Sequence, residues 1–492
     1  MNLFDKALSE TGIYGEVIEV KFPLISIKGL PRVRINETIV FETGELGSVF
    51  NIEKDCVKAL LYSSKTPKIR SQVAPLGKPL GINISSQFLG KTINPLGKLH
   101  NDETDPNYND LQFRQIFTDP PPLHQRAAIK EAYITGLTKI DLLLPLGKGQ
   151  RELILGDSKT GKTSLMLSII EAQASKENGV IIYAGIGKKA SEIAFMRQFL
   201  SEKNLADKAV IVTSTASDNS SLVYITPYAA MTVAEYFAEA GKDVTVIFDD
   251  LSIHAVRYRE IALLSNRFPG RESYPGDIFY AHASLLERAG YFKIKSNATY
   301  SITCFPIAST VEGDITSYIS TNLMSITDGH ILFDADIYNK GQRPAVNIPL
   351  SVTRVGRQTQ SDLLREITVE ILSTLASYDK MKNITHLGSE VSEESIKIIK
   401  KGMAYEVMLH QESGIIDRYL QVIVFGLANL NTDLFQSQKI YDNLLEQLLK
   451  IDSKPDSHNE LKIITESKNI KELEKNISLS KSLAHLCKKG PA

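Results

Sequence analysis

Apolar and polar residues alternate in period two along the first 70 or so positions of the chain. Ile18, Val20 and Phe22 are expected on one side and Glu19 and Lys21 on the other, the pattern of a half-buried strand. Further strands are predicted at Glu37–Phe41, Ser48–Ile52 and Val57–Tyr62, with Lys28-Gly29 and Gly44-Glu45-Leu46-Gly47 as turns. Short strands so closely spaced predict a small β-barrel or sandwich, placed at residues 1–72. From about residue 135 buried strands alternate with helices. The strands are predicted at Glu152–Leu155, Val180–Ile186, Ala209–Thr213, Val244–Phe248 and Ser301–Ile307, with helices such as Ser164–Ala174 and Thr226–Ala240. Val244–Phe248 has no polar face, as a strand covered on both sides requires, and the alternation predicts a parallel α/β sheet. This domain is placed at 73–360, with a Pro- and Asn-rich surface excursion at about 101–122. Beyond it the period is helical: Leu363, Leu364, Ile367, Ile371 and Leu375 form one stripe, and Ile440, Leu444, Leu448 and Ile451 another. Residues 361–492 are therefore read as a helical domain, ending in a Lys- and Glu-rich tail from Asp452 whose order the pattern leaves open.

Composition narrows the class. A chain of 492 residues is too long for one core and suggests about three domains. Hydrophobic content of 43% with 23% charged residues is that of a soluble globular protein, and a net charge of -1 argues against nucleic acid as the main partner. Cys56, Cys304 and Cys487 are far apart and have no metal-ligand spacing, which fits a reducing compartment. No basic segment followed by an apolar run opens the chain, and no apolar stretch approaches the length of a bilayer span. A cytoplasmic chain is expected, reaching a membrane only through partners.

The strongest chemical signal is Gly156-Asp157-Ser158-Lys159-Thr160-Gly161-Lys162-Thr163, a G-x-x-x-x-G-K-[ST] run between a predicted strand and a helix that opens with Ser164. Its glycines let the backbone wrap a phosphate chain whose charge rests on exposed amides at the helix N-terminus. Lys162 then reaches the β- and γ-phosphates, and Thr163 can ligate Mg²⁺. The pattern arises by chance in roughly one chain in sixty of this length, and its placement lowers that further. Val244–Phe248 delivers Asp249 and Asp250 to a strand end. A carboxylate there can hold Mg²⁺ through water, although the two could equally be a helix-capping pair.

Several longer stretches resemble the alpha subunit of F-type ATP synthases. They are Tyr133–Gly136, Leu146–Arg151 leading into the phosphate loop, Asp249–Ser252, Pro269–Tyr280, Leu285–Ala289, Ser325–Gly329, Arg343–Asn347 and Ser351–Gly356. The resemblance implies an N-terminal β-barrel, a P-loop α/β nucleotide-binding core and a C-terminal helical domain. It implies ATP or ADP with Mg²⁺ as cofactors, with Thr163 and Asp249 on the metal. It also implies an alternating heterohexamer with a catalytic beta-type subunit, around a central rotor shaft on the cytoplasmic face of a membrane. In that family only beta-type sites hydrolyse nucleotide, using a glutamate after the second strand to position water. Here that position is Lys188, which has no lone pair to offer while protonated; ordinary alpha subunits carry glutamine there. Lys188 is otherwise read as merely solvated, and Glu192, a helical turn further on, could replace the glutamate only if its segment bends inward.

By the same resemblance, Arg354 crosses the ring interface as an arginine finger for the neighbouring catalytic site. A structural arginine paired at a strand end is the bland alternative. Tyr338, Arg343, Pro344 and Gln411 fall where the family lines its adenine pocket. Family members usually carry a longer helical segment before the barrel. Here Ile13-Tyr14-Gly15 already enters the first strand, so stator attachment is expected to differ or be absent. Some F-type-like rings serve other machinery, including surface motility. The competing classes are an autonomous hexameric NTPase of the helicase or secretion type, and a scaffold whose nucleotide never exchanges.

Overall fold

The alternation at the start of the chain closes on itself. In the computed structural model, which describes residues 2–100, 110–293, 299–385 and 393–488, antiparallel strands form a closed barrel. They are Gly15–Lys21, Leu24–Lys28, Glu37–Phe41, Leu46–Ile52, Val57–Leu61 and Gln72–Pro79, adjacent in the order first, second, fifth, fourth, third, sixth. Closure leaves no strand edge exposed. Val17, Ile25, Ile27, Ile39, Phe41, Val49, Ala59 and Val73 fill the interior.

The first strand keeps the expected facing at Val20, which packs against the barrel core, and at Glu19 and Lys21, which are exposed, but not at Ile18 and Phe22. Val17 is buried, whereas Ile18 and Phe22 are 44% and 43% exposed. Val17 pairs with Ile27 and Glu19 with Ser26, so Ile18 is an extra residue in a bulge that reverses the pleat. Ahead of this strand lies a helix, Leu3–Thr11, started by the Asn2 side chain accepting from the Asp5 amide at 2.8 Å. It packs Phe4 and Ala7 on Val40 and Ala74.

The described chain divides into two compact units. The first comprises residues 1–128, 149–155 and 174–328, and so contains the barrel. Its sheet has the order Glu152–Gly156, Thr299–Ser309, Asp243–Asp249, Gly179–Lys188, Ala209–Thr215, Thr92–Ile93. The last five pair in parallel, and the Asp243–Asp249 and Gly179–Lys188 strands are buried almost throughout, as their continuous apolar runs predict. Helix Ser220–Glu239 begins earlier than expected, at an Asn219 cap that accepts from the Leu222 amide at 2.8 Å. Pro227 lies inside it.

Two histidines are fully buried in this unit, His254 on helix Leu251–Leu264 and His282 on Ile278–Leu286. His254 Nε2 donates to the Tyr224 carbonyl at 3.1 Å, which makes Nδ1 an acceptor for His282 Nε2–H, also at 3.1 Å. His282 Nδ1 then holds a buried lone pair with no partner. Tyr224 stacks on His254 at 5.3 Å and Tyr228 lies 5.8 Å away. Burial holds both imidazoles below their usual range, and brings His282 down to about 4.

The second unit comprises residues 129–148, 156–173 and 329–492. Strand Gly329–Phe333 pairs antiparallel with Val352–Thr353, and the C-terminal part is helical. Leu363, Leu364, Ile367 and Ile371 are buried there, with Leu444 and Leu448, while Leu375 and Ile451 pack at the margin. The tail whose order was open is built: helices Pro455–Thr465 and Ile470–Leu479 bury Leu461, Ile464, Leu473 and Ile477 in the same core. Spacings of three and four residues make each an amphipathic stripe despite the surrounding Lys and Glu.

Of the predicted excursion, residues 101–109 lie outside the described residues. The described part stays at the surface, with Leu111 and Phe113 exposed, but it carries a strand, Gln112–Gln115, that pairs antiparallel with Gly81–Ile84, and Ile116 is fully buried.

Candidate functional site

In the second unit, the phosphate loop is shaped by what stands behind it. Strand Glu152–Gly156 leads into it and helix Lys162–Ala174 follows. Gly156 adopts φ +150°, and a Cβ there would lie 2.5 Å from the Phe333 carbonyl oxygen. Gly161 adopts φ +105° with the Phe333 ring 3.5 Å from its Cβ position. Phe333 therefore backs both ends of the loop, and only glycine fits at the first. Between them Lys159 takes a left-handed φ of +65°. Thr160 is buried and donates to the Asp157 carbonyl at 2.8 Å, tightening the turn. Lys162 Nζ rests on the carbonyls of Gly156 and Asp157, the latter at 2.8 Å, so its ammonium is held at the loop. Ser158, Lys159, Thr163 and Ser164 are exposed.

The residues expected on the base side come together in the same unit. Phe333 bridges to Val346, which follows Arg343-Pro344-Ala345. The Arg343 guanidinium lies 3.5 Å from the Tyr338 ring centroid and Nη1 donates to the Tyr338 carbonyl at 2.7 Å. Gln411 joins them through its backbone N–H, which donates to the Arg343 carbonyl at 2.8 Å. Its buried carboxamide accepts from the amide and hydroxyl of Thr138 at 3.0 and 3.2 Å. It donates to the carbonyls of Gly136 and Gly414 at 2.9 and 3.0 Å. All four hydrogen-bonding capacities of that amide are used within the chain. Beside Arg343 opens a cavity of about 1080 Å³, whose polar lining includes Lys139, Glu406 and His410. Burial draws the Lys139 ammonium down to about 8, and its Nζ donates to the Pro344 carbonyl at 3.1 Å.

Arg354 is exposed, one residue past strand Val352–Thr353. The segment that carries it is pinned on Pro145. Thr353 Oγ1 donates to the Pro145 carbonyl at 2.7 Å, and a Cβ on Gly356 would stand 1.6 Å from that oxygen. The glycine of this S-x-x-R-V-G run is thus required by contact rather than by dihedral angle.

In the first unit, the two adjacent aspartates divide their work. Asp250 caps helix Leu251–Leu264, Oδ1 accepting from the amides of Ser252 and Ile253 at 2.6 and 3.2 Å and Oδ2 from Ser309 Oγ at 2.8 Å. Asp249 caps nothing. Its Oδ1 lies 2.6 Å from Lys188 Nζ, and its Oδ2 accepts the Tyr183 hydroxyl at 2.9 Å. Lys188 is accordingly not a solvated cation: its side chain and that of Asp249 are each only 13% exposed. Burial pulls the ammonium down, but the Asp249 carboxylate and Glu192 outweigh it, so Lys188 is held above the usual lysine range and stays charged. Glu192 Oε1 stands 3.6 Å from Lys188 while Oε2 accepts the Lys189 amide at 3.0 Å, capping helix Ala190–Glu202. Tyr183 and the ion pair escaped the sequence reading. Parallel pairing sets Gly185 opposite Asp249, which brings this stretch of the strand beside the aspartate.

Measured against Mg²⁺, these donors fit only in part. The Asp249 carboxylate already carries a cation on one oxygen and a phenol on the other. No group of three or more His, Cys, Asp and Glu among the described residues could hold a metal. Elsewhere in this unit two quoted stretches meet: Arg151 donates from Nε and Nη2 to both oxygens of Asp328 at 3.0 and 2.7 Å. Arg288, 1% exposed, is held by both oxygens of Glu235 at 2.7 and 2.6 Å. No described helix is long and apolar enough to cross a membrane.

Comparison with known proteins agrees with this arrangement. The family model for the nucleotide-binding domain of the ATP synthase alpha/beta family matches residues 136–353. ATP synthase subunit alpha of Clostridium botulinum (strain Eklund 17B) is 39% identical over 399 residues, which cover 81% of this chain and 78% of the relative. ATP synthase subunit alpha 1 of Mycoplasmopsis pulmonis is 38% identical over 413 residues, 84% of this chain and 78% of the relative. With a barrel, a P-loop α/β core and a helical C-terminal part in that order, and identity at this level across four-fifths of its length, the chain belongs to the alpha subunits of F-type ATP synthases.

Proposed function

We propose that this chain is a nucleotide-holding but non-catalytic member of an F-type ring. It alternates with a catalytic beta-type subunit around a central rotor shaft, on the cytoplasmic side of a membrane that only its partners touch. Gly156 to Gly161 wrap the phosphates of ATP or ADP, with amides at the start of helix Lys162–Ala174 and the Lys162 ammonium meeting their charge. Thr163 and Ser164 stand exposed at that helix start, where Thr163 would meet a magnesium ion carried by the nucleotide. Tyr338, Arg343 and Pro344 bound the adenine side. Gln411 serves there through the backbone it braces.

One observation carries the non-catalytic half of this reading. Attack by water on a phosphate needs a group that accepts or orients its protons. Where catalytic relatives hold a glutamate, Lys188 presents a charged ammonium bound to Asp249, and Glu192 is engaged as a helix cap. Arg354 has the exposure needed to act outside its own chain, where a guanidinium would stabilise charge developing on a neighbour's γ-phosphate. The test is to express the chain alone and with a beta-type partner. The chain alone should bind ATP without turning it over, and the ring should hydrolyse it. Arg354→Ala should leave the ring assembled with turnover lower by on the order of 10³-fold. Turnover by the lone chain at an enzymatic rate, or an unaffected Arg354→Ala ring, would overturn the assignment.

A further inference from the structure

We infer that the cavity beside Arg343 is a ligand site separate from the nucleotide's, for a small acid with an apolar body whose carboxylate pairs with Lys139. All of its lining lies within the second unit. Its volume of about 1080 Å³ reaches the size of pockets that enclose small molecules, roughly 300–1,000 Å³. It is also distinct from the base side. Among the described residues, no member of the phosphate loop lines it, and neither do Tyr338, Pro344 and Gln411.

The walls set the body of the ligand. Helix Asp362–Thr385 brings Leu372, Leu375, Ala376 and Asp379 to the cavity, at spacings of three and four that share one helical face. Leu372, Leu375, Val407 and Ile348 rest on the hydrophobic core yet stay only partly buried, so each turns apolar surface to the opening. An apolar occupant removes that surface from water. The charges set the head. Lys139, Lys340, Arg343 and Arg357 line the cavity against the carboxylates of Asp379 and Glu406, four cations to two anions. Lys139 is the buried member, at 9% exposure. Of its three N–H donors one is used among the described residues, on the Pro344 carbonyl at 3.1 Å, and it makes no ion pair. Burial draws its ammonium down to about 8, opposed by the charge of Glu406, whose Oε2 accepts the Tyr378 hydroxyl at 3.3 Å. A carboxylate on Lys139 supplies the missing acceptor and the missing countercharge together, in a charge-assisted bond.

The test is calorimetric titration of the full-length chain with decanoate, and with decanol as its uncharged counterpart. Decanoate should bind saturably and at least about tenfold more tightly than decanol. Saturating ATP should change its constant by less than about threefold. Lys139→Met should weaken decanoate by at least about tenfold and leave decanol unchanged. Because Lys139 also braces Pro344, a variant away from it repeats the test. Ala376→Trp fills the cavity from an exposed helical position, and should abolish binding of both probes while ATP affinity and the melting midpoint hold. Equal affinity for the two probes, or native-like decanoate binding in a folded Lys139→Met or Ala376→Trp chain, overturns the inference. So does a native chain that shows no saturable decanoate binding. Displacement of decanoate by ATP overturns it too, since the cavity would then belong to the nucleotide site.

Discussion

Acidification from pH 7 to pH 5 should weaken the first unit through His282, by an amount set by its burial. The tautomers of the pair are fixed in series: the Tyr224 carbonyl takes the His254 Nε2 proton, and His254 Nδ1 takes the His282 Nε2 proton. A further proton has nowhere good to go. On His282 Nδ1 it would be a charged donor without an acceptor, and on His254 Nδ1 it would face another N–H. The folded-state value of about 4 lies below the ordinary 6.5, so the unfolded chain takes up the proton first. The stability His282 confers is thus whole above pH 6.5 and is lost as the pH falls towards 4. With both constants in the linkage relation, the loss between pH 7 and pH 5 is roughly 2 kcal/mol for this one residue, and His254 adds to it with the same sign. Urea unfolding of the native chain and of His282→Gln at both pH values, followed by circular dichroism, isolates the effect. The native chain should lose roughly 2 kcal/mol more than the variant over that interval. Equal losses in the two proteins would refute the reasoning, because the glutamine cannot titrate.

Two other perturbations address the site's supports. Gly356→Ala drives a methyl group into the Pro145 carbonyl, which as backbone cannot swing aside, and should destabilise the chain by about 3 kcal/mol or more. Because that segment carries Arg354, ring turnover should fall further than ATP affinity of the lone chain, which parallel kinetics and binding titrations would show. Asp328→Ala leaves the Arg151 guanidinium half-buried without its carboxylate, and should cost roughly 2–3 kcal/mol, read as a lower thermal midpoint.

What could be read from the sequence was whatever chemistry is written contiguously. The phosphate loop needs glycines and a lysine at fixed spacing on one stretch of chain, so Gly156 to Thr163 declared it without reference to anything distant. The central strand Asp243–Asp249 announced its burial in the same way. Lys188 was identified as the missing base, but its bond to Asp249 was hidden, since it depends on parallel pairing between strands some 60 residues apart. The inverted facing of Ile18 has a similar cause: period-two counting holds only while each residue has one partner, and the bulge breaks that count. Helix Ser220–Glu239 starts before Thr226, at its Asn219 cap, and tolerates Pro227 in its interior. The tail helices were obscured by composition, their few apolar residues lying on one stripe within Lys- and Glu-rich sequence.

The saturated carboxamide of Gln411 has a consequence for biosynthesis. It holds Thr138 from 273 positions downstream. A ribosome adding about 5–20 residues per second needs roughly 14–55 s to travel that far. During that interval the turn at Gly136–Thr138 has emerged without its brace, and the first unit is completed at Asp328, before Gln411 is added. The nascent chain therefore meets the folding machinery with one unit ready and the other waiting on its last third, and a message truncated before residue 411 yields a product that cannot finish the second.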